Sequence, residues 1–185
     1  MSAEVAARAT AEDVARRSYG KLVAWLSART RDVAAAEDAL SDAFAAALAD
    51  WPRGIPDNPE AWLIAVARRK AIDAARRRQS GEDNAAQVRL MAEELEAAAT
   101  SDVPDQRLAL MFACAHPAID SGIRAPLILQ TILGFDAATI ASAFLVAPAT
   151  MGQRLARAKN KIREAGVPFR EIGRASCRER VCNDV

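Results

Sequence analysis

A chain of 185 residues with 25 basic and 24 acidic side chains has a formal net charge of +1. That length leaves room for one or two small domains, and the balance excludes a uniformly basic nucleic-acid coat. Apolar residues make up 51% of the chain, much of that alanine, and β-branched runs are rare, so helix is favoured throughout. No secretory signal, transit peptide or membrane-spanning apolar run is visible, which predicts a cytoplasmic protein with no membrane role. Three cysteines without a Cys-x-x-Cys pair and a single histidine offer no metal site of the usual spacing, and no cofactor is expected.

Residues before about Arg8 carry no strong signal. Thr10 with Asp13 predicts a helix start, and Val14, Leu22, Trp25 and Leu26 come next at near-helical spacing through Arg29. Asp32 is the expected cap of the next helix. In that helix Leu40, Phe44, Ala47, Leu48 and Trp51 form the inner stripe, and Glu37, Asp38 and Asp42 face out.

Residues 52–59 are dense in turn formers and read as a loop. Asn58 as cap and Pro59 at the first position restart a helix, AWLIAVARRKAIDAARRR, whose first half is apolar almost all round. Trp62, Ala65, Arg69, Asp73 and Arg76 share one stripe. Arg68, Arg69, Lys70, Arg76, Arg77 and Arg78 against the single acid Asp73 make a basic patch. An aromatic beside such a patch suits unpaired bases, through stacking and phosphate neutralisation. Plain core packing of Trp62 is the equal alternative.

From Gly81 onward the character changes. Glu82, Asp83, Glu93, Glu94 and Glu96 outweigh Arg89, so residues 81–103 read as an acidic linker with one loose helix. Pro104 then opens a helix with Leu108, Met111, Phe112 and Ala115 inward, ending near His116 because Pro117 disfavours helix before it. His116 reads as a helix-end residue. Residues 123–133 form another apolar helix, packed beneath the last pair of helices in the chain.

Phe135 to Gly166 reads as that pair, two helices around a short break. Asp136 caps the first, with Ile140, Ala141 and Phe144 inside. Leu145, Val146 and Ala147 make the turn, and Pro148 opens the second helix. Met151, Leu155, Ala158 and Ile162 recur at i, i+4, i+7 and i+11 as an apolar stripe. Thr150, Gln153, Arg157 and Lys161 lie opposite, with Arg154 at their edge, and Gly166 stops the helix. Between Pro148 and Arg163 stand five basic residues and no acid. Such a face suits a DNA major groove: Arg and Lys pair with guanine or phosphate, Gln with adenine, and the Thr methyl meets thymine. A solvated basic face on a packing helix is the plainer reading; the preceding short helix and tight turn favour a helix-turn-helix.

These elements predict an all-α chain of two small helical domains joined by a flexible linker, each domain with its own basic surface. That layout suits a protein that holds DNA at two places. Two rival readings stand beside it. One is a helix-turn-helix repressor or activator with an N-terminal dimerisation or ligand domain; the other is a helical interaction adaptor. An enzyme is least expected, since no paired carboxylates, metal spacing, nucleophile–base pair or glycine-rich phosphate loop occurs.

AEDALSDAFAAAL, NPEAWLIAVARRKAIDAARR and RLARAKNKIREAGVPFR, in that order, resemble the extracytoplasmic-function (ECF) sigma factors of the sigma-70 family. The wording PDQRLALMFACAHPAI is closest to the subgroup with a C-terminal helical-repeat extension, which this chain lacks. The resemblance implies sigma region 2 over residues 10–80, the linker over 81–103 and sigma region 4 over 104–170. It implies core RNA polymerase and promoter DNA as partners, and an anti-sigma factor as a further one. Glu37, Asp38, Leu40 and Asp42 would dock on the β′ clamp helices. Asn58, Trp62, Arg68, Arg69 and Arg76 would hold the melted minus-ten element. Thr150, Gln153, Arg154, Arg157 and Lys161 would read the minus-thirty-five element, with region 4 tethered to the β flap. Residues 171–185, EIGRASCRERVCNDV, look like a translated read-through tail and are set aside from fold reasoning.

Overall fold

The computed structural model describes residues 2–78, 89, 92–93, 103–167 and 169. Among them are seven α-helices and no strand. None of these helices is long and apolar enough to cross a membrane.

Helix α1 spans Ala3–Thr30, beginning well before the expected start at Thr10. Ser2 supplies the cap, accepting from the Val5 N–H, which satisfies one of the donors a helix start leaves open. Thr10 lies inside the helix and turns its hydroxyl back to the Ala6 carbonyl at 3.0 Å, a local bond that leaves the backbone helical. Arg31, left-handed at φ 54°, closes α1 through its N–H to the Ser27 carbonyl.

Asp32 then caps α2, Val33–Asp50, by accepting from the Ala35 N–H at 3.0 Å. A single 3-10 turn, Trp51–Arg53, leads into the loop. Helix α3, Pro59–Arg78, starts as expected, with Asn58 Oδ1 accepting from the Ala61 N–H at 3.0 Å. These three helices bury Leu22, Trp25, Leu26, Leu40, Trp51 and Leu63 almost completely. The inner stripe of α2 is shorter than expected: Leu48 is half exposed and Phe44 only partly covered, both lining an open groove with Glu4, Arg8 and Ala11 of α1.

The second half holds α4 (Arg107–Cys114), α5 (Ser121–Thr131), α6 (Ala137–Ala143) and α7 (Pro148–Glu164). Helix α4 reverses the expected face. Ala109, Leu110, Ala113 and Cys114 are buried, while Leu108, Met111, Phe112 and Ala115 point outward. The helix is apolar on nearly every side, and the face it buries carries the small side chains of Ala109, Ala113 and Cys114; the same helix lies against α1. His116 serves the helix end, its Nδ1 accepting from the Ala118 N–H at 3.1 Å.

The two halves meet. Helix α1 lies against α4 and α5, α2 lies against α7, and one buried apolar cluster continues from the first half into the second. At the α1–α4 seam the Arg29 guanidinium stacks 3.8 Å over the Trp25 ring and donates to Gln106 Oε1 at 3.2 Å. Of the expected acidic linker only Arg89, Ala92 and Glu93 fall among the described residues before Val103, all helical. The expected read-through tail lies outside them.

Candidate nucleic-acid interface

Two helices around a short turn form where the sequence predicts them, Ala137–Ala143 and Pro148–Glu164. Asp136 caps α6, its carboxylate accepting from the Thr139 N–H and hydroxyl, each at 2.8 Å. Those bonds hold the Asp136 carboxyl below its usual value. Ile140 and Ala141 are buried; Phe144, expected inside, sits at the helix end 40% exposed. The chain turns at Leu145 with a positive φ of 54°, and Leu145 is fully out in solvent. Pro148 then opens α7 at a position where no N–H is needed.

On α7 the apolar stripe of Met151, Leu155, Ala158 and Ile162 is buried as expected. Thr150, Gln153, Arg154, Arg157 and Lys161 are all exposed. Arg154, Arg157 and Lys161 also border a concave surface with Asp120 and Ile123 at the start of α5. Three cations there create a positive potential that one carboxylate only partly offsets. Gly166 at φ 58° ends the helix.

The second basic surface runs along α3. Arg69, Lys70, Arg76 and Arg77 are exposed together with Asp73, and Arg68 is half-buried. Arg69 and Arg77 each donate to the carbonyl four residues back, at 3.2 Å, so their side chains run along the helix. Trp62 is half-buried, meeting Trp51 edge-on with ring centroids 5.6 Å apart. The expected core packing of this tryptophan is thus present in part, through Trp51. Asn58 is exposed at the mouth of α3, where its side-chain oxygen serves as the cap. Glu60 behind it receives hydrogen bonds from Ser18 and Lys21 of α1. These bonds lower its carboxyl below the ordinary value although partial burial pushes it upward.

The acidic face of α2 departs most from expectation. Asp38 and Asp42 are exposed as predicted, beside Lys70 and Arg77 of α3. Leu40, expected at a partner surface, is completely buried; it belongs to the inner stripe and supports the helix from behind. Glu37, expected to face out, is covered by α7 and forms an ion pair with Lys159, the two side chains only 13% and 10% exposed. Its Oε1 has no hydrogen-bond partner. Burial raises the Glu37 carboxyl above its ordinary value even though Lys159 draws it down.

The sequence counts Lys159 among the five basic residues between Pro148 and Arg163 and assigns it no face. A signal was present: Lys159 lies four residues after Leu155 and three before Ile162, on the border of the buried stripe. One turn further, Arg163 donates to Asp32 at 3.2 Å, so the residue that caps α2 also anchors α7. Among the described residues no group of His, Cys, Asp or Glu could hold a metal ion. Cys114 is buried against Thr131, its thiol pushed up to about 11 chiefly by burial, which keeps it protonated and unreactive.

Residues 14–81, covering α1 from Val14 through α3, match the family model of Sigma-70 region 2. An uncharacterized protein of Rhizobium meliloti (strain 1021) is 40% identical over 147 residues, covering 75% of this chain and 34% of that protein. The chain thus spans about a third of the length of the curated relative it matches. No solved structure gives a significant match. The helices that carry the α3 basic face and the α2 acidic face are therefore the part of the chain that is similar to Sigma-70 region 2.

Proposed function

We propose that the chain is a promoter-specificity subunit of the extracytoplasmic-function type, which binds core RNA polymerase and directs where transcription begins. The observation that carries this reading is the pairing of a Sigma-70 region 2 match over residues 14–81 with a second reader on α7. All five expected contact residues of that reader are exposed. Asp38 and Asp42, with Glu37 once it is uncovered, offer the polymerase an acidic ridge on α2. Asn58, Trp62, Arg68, Arg69 and Arg76 serve the opened minus-ten strand, where stacking and phosphate neutralisation offset the few kcal/mol that extruding a base costs. Thr150, Gln153, Arg154, Arg157 and Lys161 read the minus-thirty-five duplex in the major groove. No side chain is asked to make or break a covalent bond; polymerase does that.

Reconstituting the chain with core polymerase and mapping transcript starts tests this reading. A discrete new set of starts is expected, and unchanged starts would reject it. Charge reversal at Asp38 and Asp42 should weaken polymerase binding while leaving the free chain folded.

A further inference from the structure

Helix α3 opens directly from the loop, and its first turn runs from Asn58 to Trp62, two residues proposed above to serve the opened strand. Two local bonds close that turn. Asn58 Oδ1 accepts from the Ala61 N–H at 3.0 Å, and the Asn58 carbonyl accepts from the Trp62 N–H at 3.1 Å. Residues 54–58, which lead into it, are irregular. A helix end of this kind frays unless something outside the helix holds it.

Glu60 supplies that hold. One oxygen of its carboxylate accepts from the Ser18 hydroxyl, and the other accepts from the Lys21 ammonium at 2.9 Å. Both donors stand on α1, three residues apart and so on one face. They adjoin the run from Leu22 to Leu26, which is completely buried. Ser18 is 6% exposed, and the side chains of Lys21 and Glu60 are 22% and 29% exposed. Trp62 comes two residues after Glu60, about 200° further round the helix. The tie to α1 thus grips the back of the turn, while Trp62 leaves on the opposite side, where its edge meets Trp51.

Helix chemistry alone does not call for this reach. A carboxylate in the first turn favours the helix dipole even when its side chain points into solvent. Drawing Glu60 against α1 removes part of its hydration; burial opposes the charge, and the Ser18 and Lys21 donors outweigh it. A stacking platform, by contrast, gains from being fixed in advance. Ordering it only on contact subtracts from the affinity for the base.

We propose that Glu60 is a positioning residue for strand opening. Tied to Ser18 and Lys21, it fixes the first turn of α3 so that Trp62 and Asn58 meet an unpaired base in one orientation. Glu60 itself touches no DNA and acts through Trp62. This role rests on the function proposed above, since it takes the opened strand as the ligand.

The test uses two variants, one from each end of the tie. Glu60→Asp keeps a carboxylate in the first turn but is one methylene too short to reach α1. Ser18→Ala removes the buried hydroxyl and leaves a good helix former. Both are compared with the parent as full chains bound to core polymerase. The single-stranded probe is the non-template minus-ten oligonucleotide of a promoter located by transcript mapping. Both variants should bind it about tenfold more weakly, with binding of the upstream duplex changed by less than about twofold. Trp62 gives a second readout in the free chain. Trp25 and Trp51 are 1% and 2% exposed, so quenching of tryptophan emission by dissolved acrylamide reports Trp62. Quenching should increase in both variants with helical content unchanged. Unchanged strand affinity in both would overturn the proposal, and so would an equal loss for strand and duplex, the sign of a general folding defect. If Glu60→Asp behaves as the parent does, the carboxylate serves the helix dipole alone and the proposal fails. Should the parent chain not redirect polymerase while the quenching responds as stated, the sigma reading fails and the hold of Glu60 on Trp62 stands.

Discussion

Gly20, in the middle of α1, stands so near the end of α5 that a Cβ built on it would lie 2.0 Å from the Ile132 carbonyl oxygen. The obstacle is backbone, so it cannot turn aside. A glycine inside a helix costs about 1 kcal/mol relative to alanine, and here it admits the second half of the chain. Gly20→Ala should therefore lower the urea-unfolding free energy of the intact chain by about 1–3 kcal/mol, the usual cost of overpacking. A chain whose halves never meet in solution would instead gain stability from the better helix former. The sign of the change decides between the two.

Glu37 makes the closed packing sensitive to pH. Burial lifts its carboxyl, Lys159 draws it down by less, and Asp38 adds to the upward push. The native state thus holds this proton more tightly than the unfolded chain does. The stabilisation from the group is complete below the ordinary glutamate value of about 4.3 and is lost as pH rises through the higher native value. Glu37→Gln keeps the shape and does not titrate. Between about pH 4 and pH 7, the unfolding free energy of the parent chain should fall relative to that of the Gln variant; a flat or rising difference would refute this.

Glu60 should show the opposite trend. Burial pushes its carboxyl upward, but the hydrogen bonds from Ser18 and Lys21 outweigh that and hold it below the ordinary value. Its contribution is present above the unfolded value and disappears as pH falls through the native one. The stability gap between the parent chain and Glu60→Gln should therefore shrink on acidification, as measured by urea titrations at several pH values. Opposite slopes at Glu37 and Glu60 would separate a carboxylate buried at a cost from one held by donors.

Legibility in the sequence depended on contrast along each helix. In α7 four apolar residues at helical spacing stand among polar ones, so both the buried stripe and the exposed reader were legible. Helix α4 has no such contrast. Leu108, Met111 and Phe112 looked like the core, yet the buried side is the one made of Ala109, Leu110, Ala113 and Cys114. Caps at Asp32, Asn58 and Asp136 were readable because their acceptors act on neighbours within three residues. Glu37 was misplaced for the converse reason: its partner is 122 residues away, and nothing local distinguishes it from Asp38. The start of α1 was missed because Ser2 and Thr10 are equally good caps, and only the backbone shows which one is used.

Gln153 and Arg157 lie one turn apart on the exposed face of α7, and under the proposed function their contributions to duplex binding can be told apart. Gln153 is nearer the helix N-terminus, the end that reaches base edges when a recognition helix enters the major groove. Its amide can accept from and donate to an adenine edge, so Gln153→Ala should relax preference at one base pair, at a cost of about 1–3 kcal/mol on the preferred sequence. Arg157 borders the concave surface formed with Asp120 and Ile123 at the start of α5, farther along the helix and suited to a backbone phosphate. Arg157→Ala should weaken binding to all upstream sequences alike and reduce the slope of log affinity against log salt by about 1. Loss of sequence preference with an unchanged salt slope would place Arg157 on a base instead. Binding titrations of duplexes with single base changes, repeated at three salt concentrations, separate the two roles because discrimination and counterion release are read from the same data.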